Sequence, residues 1–274
     1  MPLYCFTAPM IERLSNPKVK HLKKLLSSAK YRNQHRCYVI ETPHVLRDIL
    51  NHSPQLISEV YIRSLSTGLS ADSRIQAILQ QINACTQIPI IALNSHIMDS
   101  IATVNSPEFL ALIRMKEMPG WDDSGATPKL MVYCDGIQIP ANLGAIIRSM
   151  VAFNCFHVLM STATCDVYHP ECMRAASGAV SHIAHHRIPF DAVVTQMPHV
   201  QYVVLDASEG ESLFECNPQF PMILIAGAEK GLSAMVKSHM SNLNRIKIPT
   251  SKYVDSLNVA VSVGIALSTL SNRM

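Results

Sequence analysis

The stretch Ile248–Leu267, IPTSKYVDSLNVAVSVGIAL, joins a polar loop to an apolar run with almost no transition. Its first part, through Ser256-Leu257-Asn258, contains a proline and is rich in Ser, Thr, Lys and Asp. Its second part has no proline and carries Val259, Val261, Val263, Ile265, Ala266 and Leu267. This change of pattern predicts a helix that begins at the boundary, with Ser256 or Asn258 as the cap that accepts a backbone N–H. The helix body is core material and its mouth is polar. A mouth of that kind, fed by a loop of unpaired backbone groups, is a place to hold a polar ligand, although capping alone also accounts for both side chains.

The 274 residues of the chain are 48% apolar, enough for a sizeable core in two domains or one large one. The net charge of +3 is small but unevenly placed. The eight cysteines are scattered with no C-x-x-C pair, which argues for reduced, mostly buried thiols and against a disulfide framework or a zinc site. No apolar run reaches membrane-spanning length and the N-terminus lacks the pattern of a secretory leader, so the chain is expected to be soluble and cytoplasmic.

The basic excess is concentrated in Glu12–Arg36, where Glu12 is the only acid. Ser15 or Asn16 before Pro17 predicts a helix start, and Val19, Leu22, Leu25 and Leu26 form an apolar stripe that leaves the lysines on the other side. Such a helix suits either a phosphate backbone or plain solvent. Beyond it, strand signals at 38–40, 57–62, 88–93 and 109–115 alternate with helical ones at 43–50 and 74–84, which implies a small α/β domain with a partly parallel sheet. MPGWDDSGATP, 118–128, is the strongest linker signal. The expected division is therefore 1–117, a linker at 118–128, and 129–274.

The second domain reads as α/β, with strands at 129–134, 157–160, 202–205, 222–226 and 245–248, and helices at 144–153, 170–179 and 232–240 before the final one. Ligands in such folds bind beyond the carboxyl ends of the strands. Two strand-loop-helix junctions join the one already described. DGIQIPANLGAIIRSM, 135–150, places Asn142 at a helix mouth, Gly144 at its opening and Arg148 about a turn inside; AGAEKGLS, 226–233, sets Gly227, Glu229 and Gly231 between strand and helix. Neither a P-loop nor a dinucleotide fingerprint is present, which disfavours a nucleotide-dependent oxidoreductase.

Together the three junctions, in type and order, resemble the three motifs of the SpoU (TrmH-like) RNA ribose methyltransferases of the SPOUT superfamily. Ser15–Glu41 looks like the opening of the small RNA-binding domain found in many members, and MRAASGAV, 173–180, resembles the segment between the first two motifs. The resemblance implies a C-terminal α/β trefoil-knot domain behind a small α/β RNA-binding domain, and a homodimer with its site beside the subunit interface. It implies S-adenosylmethionine held near Leu205, Gly227, Ile248 and Leu257, and rRNA or tRNA as substrate. Arg148 is then the leading catalytic candidate, framed by Asn142, Glu229, Ser256 and Asn258, while Lys18, Lys20, Lys23, Lys24 and Arg32 would contact RNA. The sequence departs from the family pattern at Ile139, where many members carry Asp, at Lys252 and Thr42, where Gly is usual, and in a Glu229 loop one residue short.

A ribose 2′-hydroxyl is a weak nucleophile, so its proton must be removed or its developing charge stabilised. An arginine is a permanent cation, which favours orientation and charge stabilisation over a base role for Arg148. The alternative is a non-catalytic RNA-binding or assembly protein that keeps the fold. No metal is expected, because His182, His185 and His186 have no carboxylate or thiol at ligand spacing and read as a surface or interface cluster. Cys134 closes a predicted buried strand and reads as packing.

Overall fold

The computed structural model of the chain describes residues 9–64, 73–85, 88–118, 127–228 and 231–274. The chain divides into two compact units, one running to Lys116 and taking in Tyr168–Met173, the other comprising Glu117–Val167 and Arg174–Met274. Most of the expected linker, 119–126, lies outside the described residues.

The elements of the first unit are β1 (Met10–Ile11), α1 (Pro17–Ser27), α2 (Ala29–His35), β2 (Cys37–Ile40), α3 (Pro43–His52), β3 (Ile57–Ser64), α4 (Ser73–Cys85), β4 (Ile90–Asn94), α5 (Ser95–Ile101) and β5 (Phe109–Arg114). They form a sheet ordered β1-β4-β3-β5-β2, parallel across β1, β4 and β3 and antiparallel at β5. Asn16 starts α1, its side chain accepting from the Lys18 amide at 2.9 Å with Pro17 in the first turn. Val19, Leu22, Leu25 and Leu26 are all buried, packed with Val39, Leu93 and Leu110.

Arg32 departs from expectation. It belongs to α2, a helix that the basic run does not announce as separate, and only 1% of it is exposed. Its guanidinium donates to the Leu25 and Leu26 carbonyls at 2.6 and 3.4 Å. The last carbonyls of a helix have no partner within it, and a buried cation at the end of α1 satisfies them. Arg32 therefore serves the core and is not on the basic surface.

From Leu130 onward the elements are β6 (Leu130–Asp135), α6 (Pro140–Ala152), β7 (His157–Met160), α7 (Pro170–Ala176), β8 (Ala184–Arg187), α8 (Phe190–Gln196), β9 (Gln201–Leu205), β10 (Glu211–Ser212), β11 (Met222–Gly227), α9 (Ala234–Lys237), β12 (Asn244–Lys247) and α10 (Val259–Ser271). The sheet is parallel throughout, ordered β10-β12-β9-β11-β6-β7-β8. β6 is buried along its whole length and β11 for all but its last residue, the continuous apolar character of strands covered on both faces. The chain moves outward from β6 to β8, returns to lay down β9, and then inserts β11 between β9 and β6.

Three differences from the sequence expectation have local causes. β8 and α8 are absent from it, since Ala-His-His-Arg has neither β-branched residues nor alternation and forms a strand only through its pairing with β7. α6 begins at Pro140 rather than near Gly144. The helix expected at 232–240 is only the short α9, because Gly231 holds a left-handed φ of +83° and Ser233 caps the single turn after it. Among the described residues no helix is long and apolar enough to cross a membrane. The described cysteines are free thiols, Cys134, Cys155, Cys172 and Cys216 buried. Burial pushes the Cys155 thiol up to about 12 and Cys134 further in the same direction, so neither is a ready nucleophile at neutral pH.

Candidate active site

The site is assembled at the carboxyl edge of the second sheet. At the mouth of α10, Asn258 is the cap: its Oδ1 accepts from the Ala260 amide at 2.9 Å. Its Nδ2 donates to Oδ1 of Asn142 at 3.1 Å. One side chain thus starts α10 and ties it to the first turn of α6, across more than a hundred residues of sequence. Ser256 remains in the exposed loop.

α6 has Ile139 at its cap position, with no side-chain bond, and Pro140 in its first turn. An Asp at 139 would supply the missing acceptor; here the Asn142 and Leu143 amides turn back to the Ile139 carbonyl at 3.1 and 3.2 Å. Because the helix starts at Pro140, Arg148 stands about two turns inside, exposed, and free of hydrogen bonds and ion pairs among the described residues. α6 and α10 approach closely where a Cβ on Gly264 would lie 3.3 Å from Ser149 Oγ.

The end of β6 and the loop after β11 are tied by a buried carboxylate. Asp135 is 2% exposed and its Oδ2 accepts from the Ser233 amide at 2.7 Å, while its carbonyl accepts from the Ala228 amide at 3.2 Å. The Gly231 amide closes the turn onto the Ala228 carbonyl at 2.8 Å. A Cβ on Gly227 would lie 3.0 Å from Leu232 Cδ2, so that glycine makes room for its own loop. Asp135 is not among the sequence-based candidates. A carboxylate closing an otherwise apolar, fully buried strand was the available signal, since such a group needs a partner.

Where β9, β11 and β12 end against the mouth of α10 lies a cavity of about 760 Å³. Leu205, Gly227, Ile248 and Leu257 all line it, as do Ser256 and Asn258. Three charged side chains outside the sequence-based set, Asp206, Asp255 and Lys237, share its wall. Burial would raise the Asp206 carboxyl. The amides of Ser208 and Glu209, the Ser208 hydroxyl and nearby Arg245 outweigh this and hold it below the usual range. Arg148 does not line the cavity, and Glu229 lies outside the described residues. A second hollow of about 750 Å³ runs between α6 and α10, past Asn142, Ala145, Ser149, Phe153 and Val261.

In the first unit, Lys20, Lys23 and Lys24 are exposed on α1, while Lys18 is paired with Glu59.

Two of the three junctions line this cavity, and the first is tied to them through Asn142 and Asp135. Residues 129–268 match the model of the SpoU rRNA Methylase family. The chain belongs to that family. Among its relatives, the 23S rRNA (guanosine(2553)-2′-O)-methyltransferase RlmP of Bacillus subtilis is 26% identical over 257 residues, 93% of this chain and 96% of the relative. The 23S rRNA (guanosine-2′-O-)-methyltransferase RlmB of Yersinia pestis is 26% identical over 234 residues, 82% and 92% of the two chains. The match to an uncharacterized tRNA/rRNA methyltransferase of Mycobacterium avium, 29% identical over 55% of this chain, spans about half (49%) of that longer protein. Of solved structures, an AdoMet-bound rRNA methyltransferase from Sinorhizobium meliloti superposes with a TM-score of 0.81 at 20% identity, covering 97% and 98% of the chains. The SpoU methyltransferase AviRb from Streptomyces viridochromogenes, also with AdoMet, gives 0.78 at 18% identity over 94% and 98%. At these identities the superpositions establish a shared fold over 94–97% of this SpoU chain.

Proposed function

We propose that this SpoU-family chain is an S-adenosylmethionine-dependent RNA 2′-O-ribose methyltransferase acting on rRNA or tRNA. The observation that carries the reading is the cavity lined at once by Leu205, Gly227, Ile248 and Leu257, the four positions to which the family resemblance assigns the cofactor. Its volume of about 760 Å³ suits a nucleoside-sized ligand. Its wall of strand ends and loop backbone offers amides and carbonyls to a nucleobase, and its mixed charges suit a ligand with both cationic and anionic groups.

The bound cofactor supplies an electrophilic methyl on a sulfonium. The rest is the work of this chain. Asn258 and Asn142 hold the mouths of α10 and α6 together; Arg148 orients the ribose hydroxyl, pairs with the neighbouring phosphate and stabilises the forming alkoxide while the proton leaves to water. Ser256 and Glu229 complete the polar frame. Since Arg148 stands outside the cavity of its own chain, the reading includes a homodimer across the α6/α10 hollow, where exposed Val261 lies and where a partner's α6 could reach the site. A trefoil knot belongs to the same reading, supported by the insertion of β11 between β9 and β6 and by the packing of α10 on α6 after the 248–258 loop. The first unit serves as the RNA-binding domain through Lys18, Lys20, Lys23 and Lys24.

Titration calorimetry with S-adenosylmethionine, followed by labelled-methyl transfer to fractionated RNA and mapping of the modified nucleotide, tests this. Binding and a 2′-O-methyl product are expected; absence of both would favour a binding-only protein. In single-turnover assays at saturating cofactor, Arg148→Ala is expected to lose at least about a hundredfold in rate with cofactor affinity retained, the scale typical of removing a charge-stabilising donor.

A further inference from the structure

The basic run of the first unit carries an aromatic cluster that its lysines do not explain. His21 on α1 and Tyr31 and His35 on α2 form a continuous group: His35 lies against Tyr31 with ring centroids 4.0 Å apart and planes tilted by 38°, and His21 meets both rings edge-on at 5.5 and 5.1 Å. His21 Nδ1 and the Tyr31 hydroxyl are 3.0 Å apart, and Lys24 Nζ stands 5.4 Å from the Tyr31 ring centre. The group is held from beneath, because α2 is anchored by buried Arg32 and ends where Arg36 takes a left-handed φ of +52°. His35, the last residue of α2, is exposed, whereas Tyr31 and His21 are half-buried.

Lys24 and Lys18 face the cluster, as does Glu59, which is paired with Lys18; Lys20, Lys23, Lys30 and Arg36 are exposed on or beside the same two helices, and no acidic residue occurs in sequence between Glu12 and Glu41. Tyr31 packs in part against the core and leaves His35 exposed beside it, and a surface for a duplex would need the cations alone. Rings standing among cations match a single strand, whose phosphates take the charges and whose unstacked bases need a flat partner.

We propose that His35, lying tilted against Tyr31, is a platform for an unpaired base of the substrate RNA, with Lys20, Lys23 and Lys24 engaging the flanking phosphates. The proposal rests on the reading of the chain as an RNA methyltransferase and adds which nucleotide feature the first unit selects: a loop or single-stranded base next to the modified region. His21 fixes the tilt of Tyr31 and is a positioning residue.

The test uses the full-length protein and fluorescence anisotropy with a short fluorescein-labelled single-stranded RNA and a duplex of the same length, over a range of salt. His35→Ala is expected to weaken single-strand binding about tenfold, leave duplex binding unchanged and keep the salt slope, since one stacked base and no phosphate contact is lost. His35→Phe should restore the affinity, because any aromatic face can stack. Lys23→Ala should instead lower the salt slope by about one phosphate contact and weaken both RNAs alike. Equal single-strand affinity for wild type and His35→Ala, or failure of His35→Phe to restore a loss, overturns the platform. If the wild-type protein binds neither RNA, the RNA-directed reading itself fails, an outcome distinct from the first.

Discussion

Asn258 carries two jobs on one side chain, and they can be separated. Asn258→Ala removes the cap of α10 and the bond to Asn142, for an expected loss of about 1 kcal/mol and a fall in Tm of roughly 2–4 °C. Asn258→Asp keeps an oxygen for the Ala260 amide but has no donor for Asn142. It should melt near the wild type while losing methyl transfer, if the Asn142 bond matters for placing Arg148; in parallel scanning calorimetry and transfer assays it should keep both if only the cap counts. His157 on β7 gives a pH signature. Burial holds its pKa below the ordinary 6.5, so the unfolded chain takes up a proton that the folded chain resists. Stability is then full above about pH 6.5 and is lost as pH falls from there toward the folded value, a dependence visible in urea unfolding at several pH values and reduced in His157→Gln. Arg32 was legible only as one more basic residue, because sequence patterning cannot tell a solvated guanidinium from one turned inward to finish a helix.

Among the helices, the α6/α10 pair depends on a small residue in a helix that propensity alone would prefer without glycine. Gly264→Ala should be near neutral, the gain in helix propensity of about 1 kcal/mol offsetting a 3.3 Å approach to a Ser149 hydroxyl that can rotate away. Gly264→Val should cost about 1–3 kcal/mol in denaturant unfolding, since a branched side chain brings a second methyl against Ser149. Strong local patterns make an element legible before its partners are known. α1, β6, β7, β11 and α10 have apolar periodicity or continuous apolar runs, and they appear within a few residues of expectation. β8 and α9 do not: one is a histidine-rich edge made a strand by β7, and the other is cut short by the conformation of Gly231.

For the molecule as a unit, the homodimer proposed across the α6/α10 hollow places a sharp demand on one side chain. Val261 is 51% exposed on α10 beside that hollow. Val261→Asp should leave unfolding nearly unchanged, because the side chain meets water in the single chain, while shifting sedimentation to the monomer and abolishing methyl transfer. A variant that still sediments as the wild type would put the seam elsewhere. Residue order was enough for the α/β class and for a cap at Ser256 or Asn258 before the last helix, because each rests on local periodicity or turn chemistry; the four positions that line the cavity came from the family resemblance. Only the folded chain reveals that Asn142 bonds Asn258, that Asp135 holds the second loop, that Asp206, Asp255 and Lys237 share the cavity wall and that Arg32 is buried. Those facts depend on which strand lies beside which, and the place of β11 between β9 and β6 is set by pairing with both, not by any local stretch of sequence.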